Sequence, residues 1–319
     1  MNEHPRGIAA VELAQLFSFF QIVKMGTFSE ASKKVFLSQS AVSHQIINLE
    51  KELKVKLFER IGKKVKLTEQ GEILFDVTNK FLNELEDLNR IYVDMRYGKA
   101  GRFVIATSSA VMAHVLPQVI RKFVGQFPKI NIKLIACNFI SEIQSLIMEG
   151  EVDFGIGVKS AQMPSQKLGF LHWKFFDTLL LTSKSHPLSK RKNIKLSDLA
   201  KYPHILYRKG TVMRRVVEEV FSRRGLTFEI IMEMDMADNI KKYVDMGIGV
   251  GILSALTLTQ EDKERFAIFN LSNIFGKVDI GIYINYSRYI STAMKEFIKL
   301  FAPELLEEMV FSSARKLDG

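Results

Sequence analysis

The chain has 319 residues, 47% of them hydrophobic and 25% charged, the balance of a soluble protein with room for two or three domains. Its one cysteine, Cys137, excludes an internal disulfide, and the lack of a long uncharged apolar run or of a basic-apolar leader predicts a cytosolic protein with no membrane span. The net charge of +10 favours a polyanionic partner.

Residues 1–67 hold eleven Lys or Arg against six acids, and Lys54, Lys56, Arg60, Lys63, Lys64 and Lys66 share one segment opposed only by Glu59. Between Val11 and Met25, Leu13, Leu16, Phe17, Phe20 and Val23 recur at helical spacing. Gly26 ends that helix, and Ser29 is placed to cap a second one through about Phe36. Ser38 can cap a third, in which Ala41, Val42, Ile46 and Leu49 turn inward while Gln39, Ser40, Ser43, His44 and Ile47 turn outward. Two short helices joined by a tight turn, the second with small polar groups at its amino end, form a helix-turn-helix pattern. The small residues Ser38, Ser40 and Ser43 at such an end let the helix backbone approach bases and phosphates, while Gln39 and His44 reach base edges. The alternative is a merely solvated helix of a bundle.

From Lys54 to Leu67 the apolar residues alternate around Gly62, which predicts a two-stranded hairpin with Arg60, Lys63 and Lys64 at its basic tip. That wing would lie along neighbouring phosphates or the minor groove, and its phosphate contacts would supply affinity without sequence preference. Thr68 then caps a long helix in which Leu74, Val77, Phe81, Leu85, Leu88, Tyr92 and Met95 follow a heptad spacing. The spacing favours a dimer; packing on the helix's own domain is the alternative. Two glycines among basic residues, Arg96 to Arg102, read as a hinge.

Beyond it, strand-like and helix-like stretches alternate. Arg102 to Ser109 reads as a strand, followed by one helix through Phe127, a strand at Ile130 to Cys137, a helix at Ile140 to Glu149 and a strand at Asp153 to Val158. A second such unit runs from Thr178 to Leu253, so two parallel sheets with a cleft between them are expected. Ligands bind beyond the carboxyl ends of parallel strands. Thr107, Ser108 and Ser109 stand at such an end and suit a small anion, with Arg208 and Thr211 facing them; helix capping and plain exposure are the competing roles. Cys137 reads as a buried structural thiol.

An enzyme reading finds little. The six histidines form no HExxH or close Cys/His pairing, and Ser108 and His114 have no marked acid partner. Gly247-Ile-Gly-Val-Gly251 lies between a helix and a strand, the reverse of a dinucleotide loop. No catalytic residue, metal or cofactor is expected.

Phe28-Ser29-Glu30-Ala31-Ser32, Ser38-Gln39-Ser40-Ala41-Val42-Ser43-His44-Gln45-Ile46, Leu49-Glu50-Lys51-Glu52-Leu53, Leu57-Phe58-Glu59-Arg60 and Leu67-Thr68-Glu69-Gln70-Gly71 resemble, in order and spacing, the amino-terminal motifs of the LysR-type transcriptional regulators. Members commonly carry proline at the position of Ser40 and arginine at that of His44. The resemblance spans nearly the whole chain. It implies an α/β protein in three parts: a winged helix-turn-helix at 1–67, a dimerising linker helix at 68–97, and an effector domain at 98–319. The last resembles the type 2 periplasmic solute-binding proteins, with subdomain I at about 102–173 and 277–319 and subdomain II at about 174–276. Leu171-His-Trp-Lys174, His186-Pro-Leu188, Leu199-Ala-Lys-Tyr-Pro203 and Tyr243 to Ile252 look most like the branch that controls sulfur assimilation. The family reading implies promoter DNA, a small anionic metabolite, a homodimer or homotetramer, and RNA polymerase as a further partner. Where that branch carries more hydroxyl and amide groups, this chain has Ala110 and Val111, which favours an organic anion with an apolar body over sulfate. The rival is a small-molecule sensor or carrier whose amino-terminal module docks a protein.

Overall fold

The computed structural model describes residues 11–61, 64–97 and 100–307. They divide into two compact units, one extending to Asn89 and the other beginning at Arg90. The first contains α1 (Leu13–Met25), α2 (Phe28–Val35), α3 (Gln39–Leu53), the strands β1 (Phe58–Ile61) and β2 (Lys64–Leu67), and the start of α4 (Glu69–Tyr97). Phe19, Ile22, Val42, Ile46, Leu49 and Leu57 form its core. Gly26 ends α1 in the left-handed region at φ 73°. The cap of α2 is Thr27, whose hydroxyl accepts from the Glu30 N–H at 3.2 Å, rather than Ser29. The helix starts as soon as Gly26 has turned the chain, at Phe28, so that its cap lies two residues before Ser29.

Thr68 opens α4, accepting from the Gly71 N–H at 3.0 Å and donating to the Lys56 carbonyl at 2.6 Å. At Gly71 the helix runs so close to the backbone just before β1 that a Cβ would stand 2.2 Å from the Leu57 carbonyl oxygen.

The second unit follows α4 with β3 (Ala100–Thr107), α5 (Ser109–His114), α6 (Leu116–Gln126), β4 (Lys129–Ala136), α7 (Ile140–Met148), β5 (Phe154–Val158) and β6 (Leu168–Phe176). The single helix expected after Ser108 is broken between α5 and α6 because Pro117, in the first turn of α6, has no N–H to continue the ladder. After Asp177 come β7 (Thr178–Ser183), α8 (Leu196–Leu199), β8 (His204–Tyr207), α9 (Val212–Arg223), β9 (Ile230–Met234), α10 (Ala237–Asp245), β10 (Val250–Ser254), α11 (Gln260–Arg265), β11 (Phe266–Asn270) and α12 (Ser272–Phe275). The chain then returns through Gly276 and Lys277 to β12 (Val278–Asn285) and α13 (Thr292–Phe301).

Two five-stranded sheets result, ordered β4-β3-β5-β12-β6 and β11-β7-β10-β8-β9. Neither is wholly parallel. β3 runs parallel to β4 and β5, but β12 pairs antiparallel with β5 and β6. In the second sheet β8 lies parallel to β9 and β10, and β7 antiparallel to β10 and β11. The reversed strands are those that cross between sheets: β6 leads into β7, and α12 leads back into β12. The first crossing falls at Asp177, because β6 continues to Phe176 and not merely to residue 173. Phe103, Phe123, Phe154 and Phe297 pack in the first core with ring centroids 5.4 to 5.7 Å apart. Leu180, Val217, Phe221 and Ile252 are buried in the second.

The crossings are tied together. Asp177 accepts the Ser272 hydroxyl at 3.0 Å and lies 3.4 Å from Lys277, and the Thr178 hydroxyl donates to the Gly276 carbonyl at 2.8 Å.

Candidate nucleic-acid interface and ligand cleft

Ser38 caps α3, accepting from the Ala41 N–H at 3.1 Å, and its hydroxyl lies 2.9 Å from that of Ser40. Gln39, Ser40 and His44 are exposed and Ser43 is half-buried, while Val42, Ile46 and Leu49 go to the core; Ala41 is only partly covered. Inward-facing Gln45 receives the Ser18 hydroxyl at 2.5 Å and pins α3 to α1. The His44 Nδ1 accepts from the Asn48 amide at 3.3 Å. A neutral ring so engaged carries its proton on Nε2, which then points outward as a donor.

The hairpin pairs Arg60 with Val65 and Ile61 with Lys64. Lys63 lies outside the described residues, as do the side chains of Arg60 and Lys64. The long helix presents two apolar sides. Leu74 and Phe75 pack onto the amino-terminal core, Phe75 stacking on Phe20 at 5.5 Å, so Leu74 serves its own domain. Val77, Phe81, Leu88 and Tyr92 remain exposed, at 57%, 42%, 61% and 60%.

Between the two sheets of the second unit lies a cavity of about 320 Å³. Ser108, Ser109 and Thr211 line it. Ser108 and Thr211 also cap α5 and α9, accepting from Val111 and Arg214 N–H groups at 3.4 Å each. Thr107 does not reach the cavity: it is fully buried, and its hydroxyl donates to the Ile156 carbonyl at 2.8 Å. Arg208 does not line the cavity either, but it is held by two residues that do, Asp235 and Phe139. Its Nε stands 3.1 Å from Asp235, and its guanidinium lies over the Phe139 ring, 5.1 Å from the centroid. Gly210, at φ 94°, keeps this contact open, since a Cβ there would come within 2.9 Å of Phe139. The two halves meet again at His114 and Asp238, 3.5 Å apart.

Most of the wall is apolar, with Val111, Val158, Met213, Leu256, Val278 and Ile280 among its residues. Its polar members include Lys159, Tyr207 and Lys277, which sequence reasoning passed over. Lys159 directly follows β5, a strand end that could have marked it; Lys277 lies in the return crossing and carried no local signal. Burial and nearby Asp238 push the Tyr207 hydroxyl well above its ordinary pKa, so it stays protonated as a donor. Burial, with help from Glu142, pushes the Cys137 thiol up to about 11 and keeps it neutral. Asp279 accepts from His172 at 2.5 Å and lies 3.9 Å from Lys159.

Comparison with known proteins agrees with this layout. Residues 13–72 match the bacterial regulatory helix-turn-helix protein model of the lysR family, and residues 96–305 match the LysR substrate binding domain. The HTH-type transcriptional regulator CysB of Burkholderia cenocepacia is 28% identical over 283 residues, covering 88% of this chain and 90% of that protein. The regulator Cbl of Escherichia coli strain K12 is 31% identical over 248 residues, 77% of this chain and 78% of its own length. The solved cofactor-binding domain of a Cbl transcriptional regulator superposes with a TM-score of 0.61 at 26% identity, covering 67% of this chain and 93% of that domain.

Proposed function

The chain belongs to the LysR family of helix-turn-helix transcriptional regulators, in its CysB-like branch, and from this premise we propose that it binds promoter DNA as a homodimer, assembles further into a homotetramer, and answers to a small organic anion in its carboxy-terminal cleft. The observation that carries the DNA half is α3: a helix locked to its domain by Val42, Gln45 and Ile46, with Gln39, Ser40 and His44 exposed and Ser43 half-exposed towards its leading end. Free donors there suit the acceptor edges of bases, and the His44 Nε2–H fits a purine N7 or a guanine O6. The wing, with Arg60, Lys63 and Lys64, supplies phosphate contacts. No observation favours a protein-docking role for this unit.

The exposed stripe of α4 supports the dimer, because four large apolar side chains at helical spacing lose their contact with water when two copies pair. Two copies also suit an inverted repeat. In the cleft, Ser108, Ser109, Thr211 and Tyr207 offer hydroxyl donors, Lys159 and Lys277 offer positive charge that Asp279 and Asp177 offset only in part, and the apolar wall accepts a hydrocarbon body. A ligand that touches both sheets favours one angle between them, and it regulates only if it binds that state better than the other.

Titrating the full chain against duplex from the region upstream of its own gene tests the DNA half. Affinity should fall linearly on a logarithmic salt scale, and His44→Ala should alter preference at one base position by about 1–3 kcal/mol. Affinity that ignores salt would overturn the assignment of DNA; a His44→Ala loss equal on all sequences would remove His44 from base reading.

A further inference from the structure

Residues 178–276 carry sixteen Lys or Arg and eleven Asp or Glu. The whole of that excess sits in one stretch: Lys184, Lys190, Arg191, Lys192, Lys195 and Lys201 face a single acid, Asp198, and the rest of the subdomain is balanced at ten of each sign. All six cations are exposed, and none makes an ion pair among the described residues. The one acid is engaged by the backbone, accepting from the Lys195 N–H at 3.1 Å at the start of α8. Charge of one sign is thus concentrated and left unneutralised.

The segment is held rather than loose. Leu188 and Leu199 anchor it in the second core. His186 meets Tyr202 edge-on at 4.6 Å, the Ser189 hydroxyl donates to the Lys184 carbonyl at 2.8 Å, and the Arg191 N–H to the Leu188 carbonyl at 2.9 Å. Clustering these charges on a fixed frame costs repulsion that a polyanion relieves. No large apolar side chain is exposed among residues 184–201, so the anchor that a docked protein needs is missing. Five of the six cations are lysines, point charges that neutralise phosphates without reading bases.

We infer that this basic segment of subdomain II is a second DNA contact, which takes the phosphates of duplex DNA without sequence preference. It rests on the DNA reading above and extends it to a part of the chain otherwise concerned with ligand. Because the winged helix already tethers the chain to DNA, weak phosphate contacts here act at high effective concentration. Each one adds about 0.9 to the slope of log affinity against log salt.

The test uses the full chain and a long random-sequence duplex. The variant with Lys190→Gln, Arg191→Gln and Lys192→Gln should melt as the wild type does, yet lose about 2–3 from that slope and bind tenfold or more weakly at about 50 mM salt. Duplex should also protect Lys190 and Lys192 from a lysine-acylating reagent. An unchanged slope with both lysines still reactive, in a protein whose binding does respond to Arg60→Ala, would overturn the inference and leave the winged-helix reading intact. Polyglutamate that competes as well as duplex of equal charge would overturn the assignment to DNA. A wild type that binds no duplex would defeat both.

Discussion

His204 is fully buried on β8, its ring set edge-on to Phe221 and Phe228 at 5.7 and 5.0 Å. Neither ring nitrogen has a well-formed hydrogen bond. Burial pushes its pKa down from 6.5 to about 4, and approaches to the backbone of Glu229 and Tyr202 offset only part of that. The sign follows from which state takes the proton first. Above pH 6.5 the ring is neutral in both states; as pH falls from 6.5 towards about 4, the unfolded chain binds the proton and the folded chain resists it. Stability is therefore present at neutral pH and lost on acidification, by about 2–3 kcal/mol at about pH 4.5. Urea midpoints should show His204→Phe losing that much less than the wild type between pH 7 and pH 4.5; parallel losses would mean that His204 is not the responsible group. Nothing in the local sequence marked this histidine as apolar in surroundings, since its aromatic neighbours come from α9 and the loop after it. At the same scale, capping by Ser38 was legible because cap and helix are adjacent in sequence. The cavity hydroxyls Ser108 and Thr211 were legible for the same reason. Arg208 was not, because its orientation depends on Asp235 and Phe139, which lie far along the chain.

Elements with a local period were the readable ones. The three helices of the amino-terminal unit, its hairpin and α4 each show their pattern within a few turns. The division of labour on α4 is different: spacing cannot separate Leu74, which meets its own core, from Leu88, which meets none of the buried clusters. If the exposed stripe is a dimer seam, Leu88→Glu sets a carboxylate against its symmetry mate or in an apolar contact. Each copy then carries about 1–3 kcal/mol of desolvation and repulsion, enough to weaken dimerisation by about 100-fold. Sedimentation equilibrium should find this variant monomeric at concentrations where the wild type is paired, and unchanged mass would place the seam elsewhere. The reversed strands β7 and β12 were hidden for a related reason. β12 pairs Ile282 with Ile156 across more than a hundred residues, and no short-range pattern encodes such a partner.

Across the whole molecule, the amino-terminal unit carries a helix-turn-helix, and the second unit holds a cavity between two sheets, between which the chain crosses at Asp177 and at Gly276-Lys277. On the proposed reading a ligand in this cavity sets the angle between the sheets, and the two crossings, with Thr178 and Ser272 bonded across them, are where that angle turns. The division into a helix-turn-helix domain and a two-sheet effector-binding domain was legible from motifs and from alternating strands and helices; the cavity's lysine side was not, because Lys277 reaches it only through the return crossing. The proposed function requires that DNA binding and ligand binding be coupled. The direct measurement is the affinity of the full chain for its upstream duplex, with and without a carboxylate or sulfur compound that stabilises the fold by about 2.7 kcal/mol at 100 times its dissociation constant. Such a ligand should change DNA affinity by about fivefold or more, and Tyr207→Phe with Lys277→Ala should reduce the thermal shift and the change in affinity together. A cleft ligand that stabilises the protein while DNA affinity stays the same would rule out the coupling.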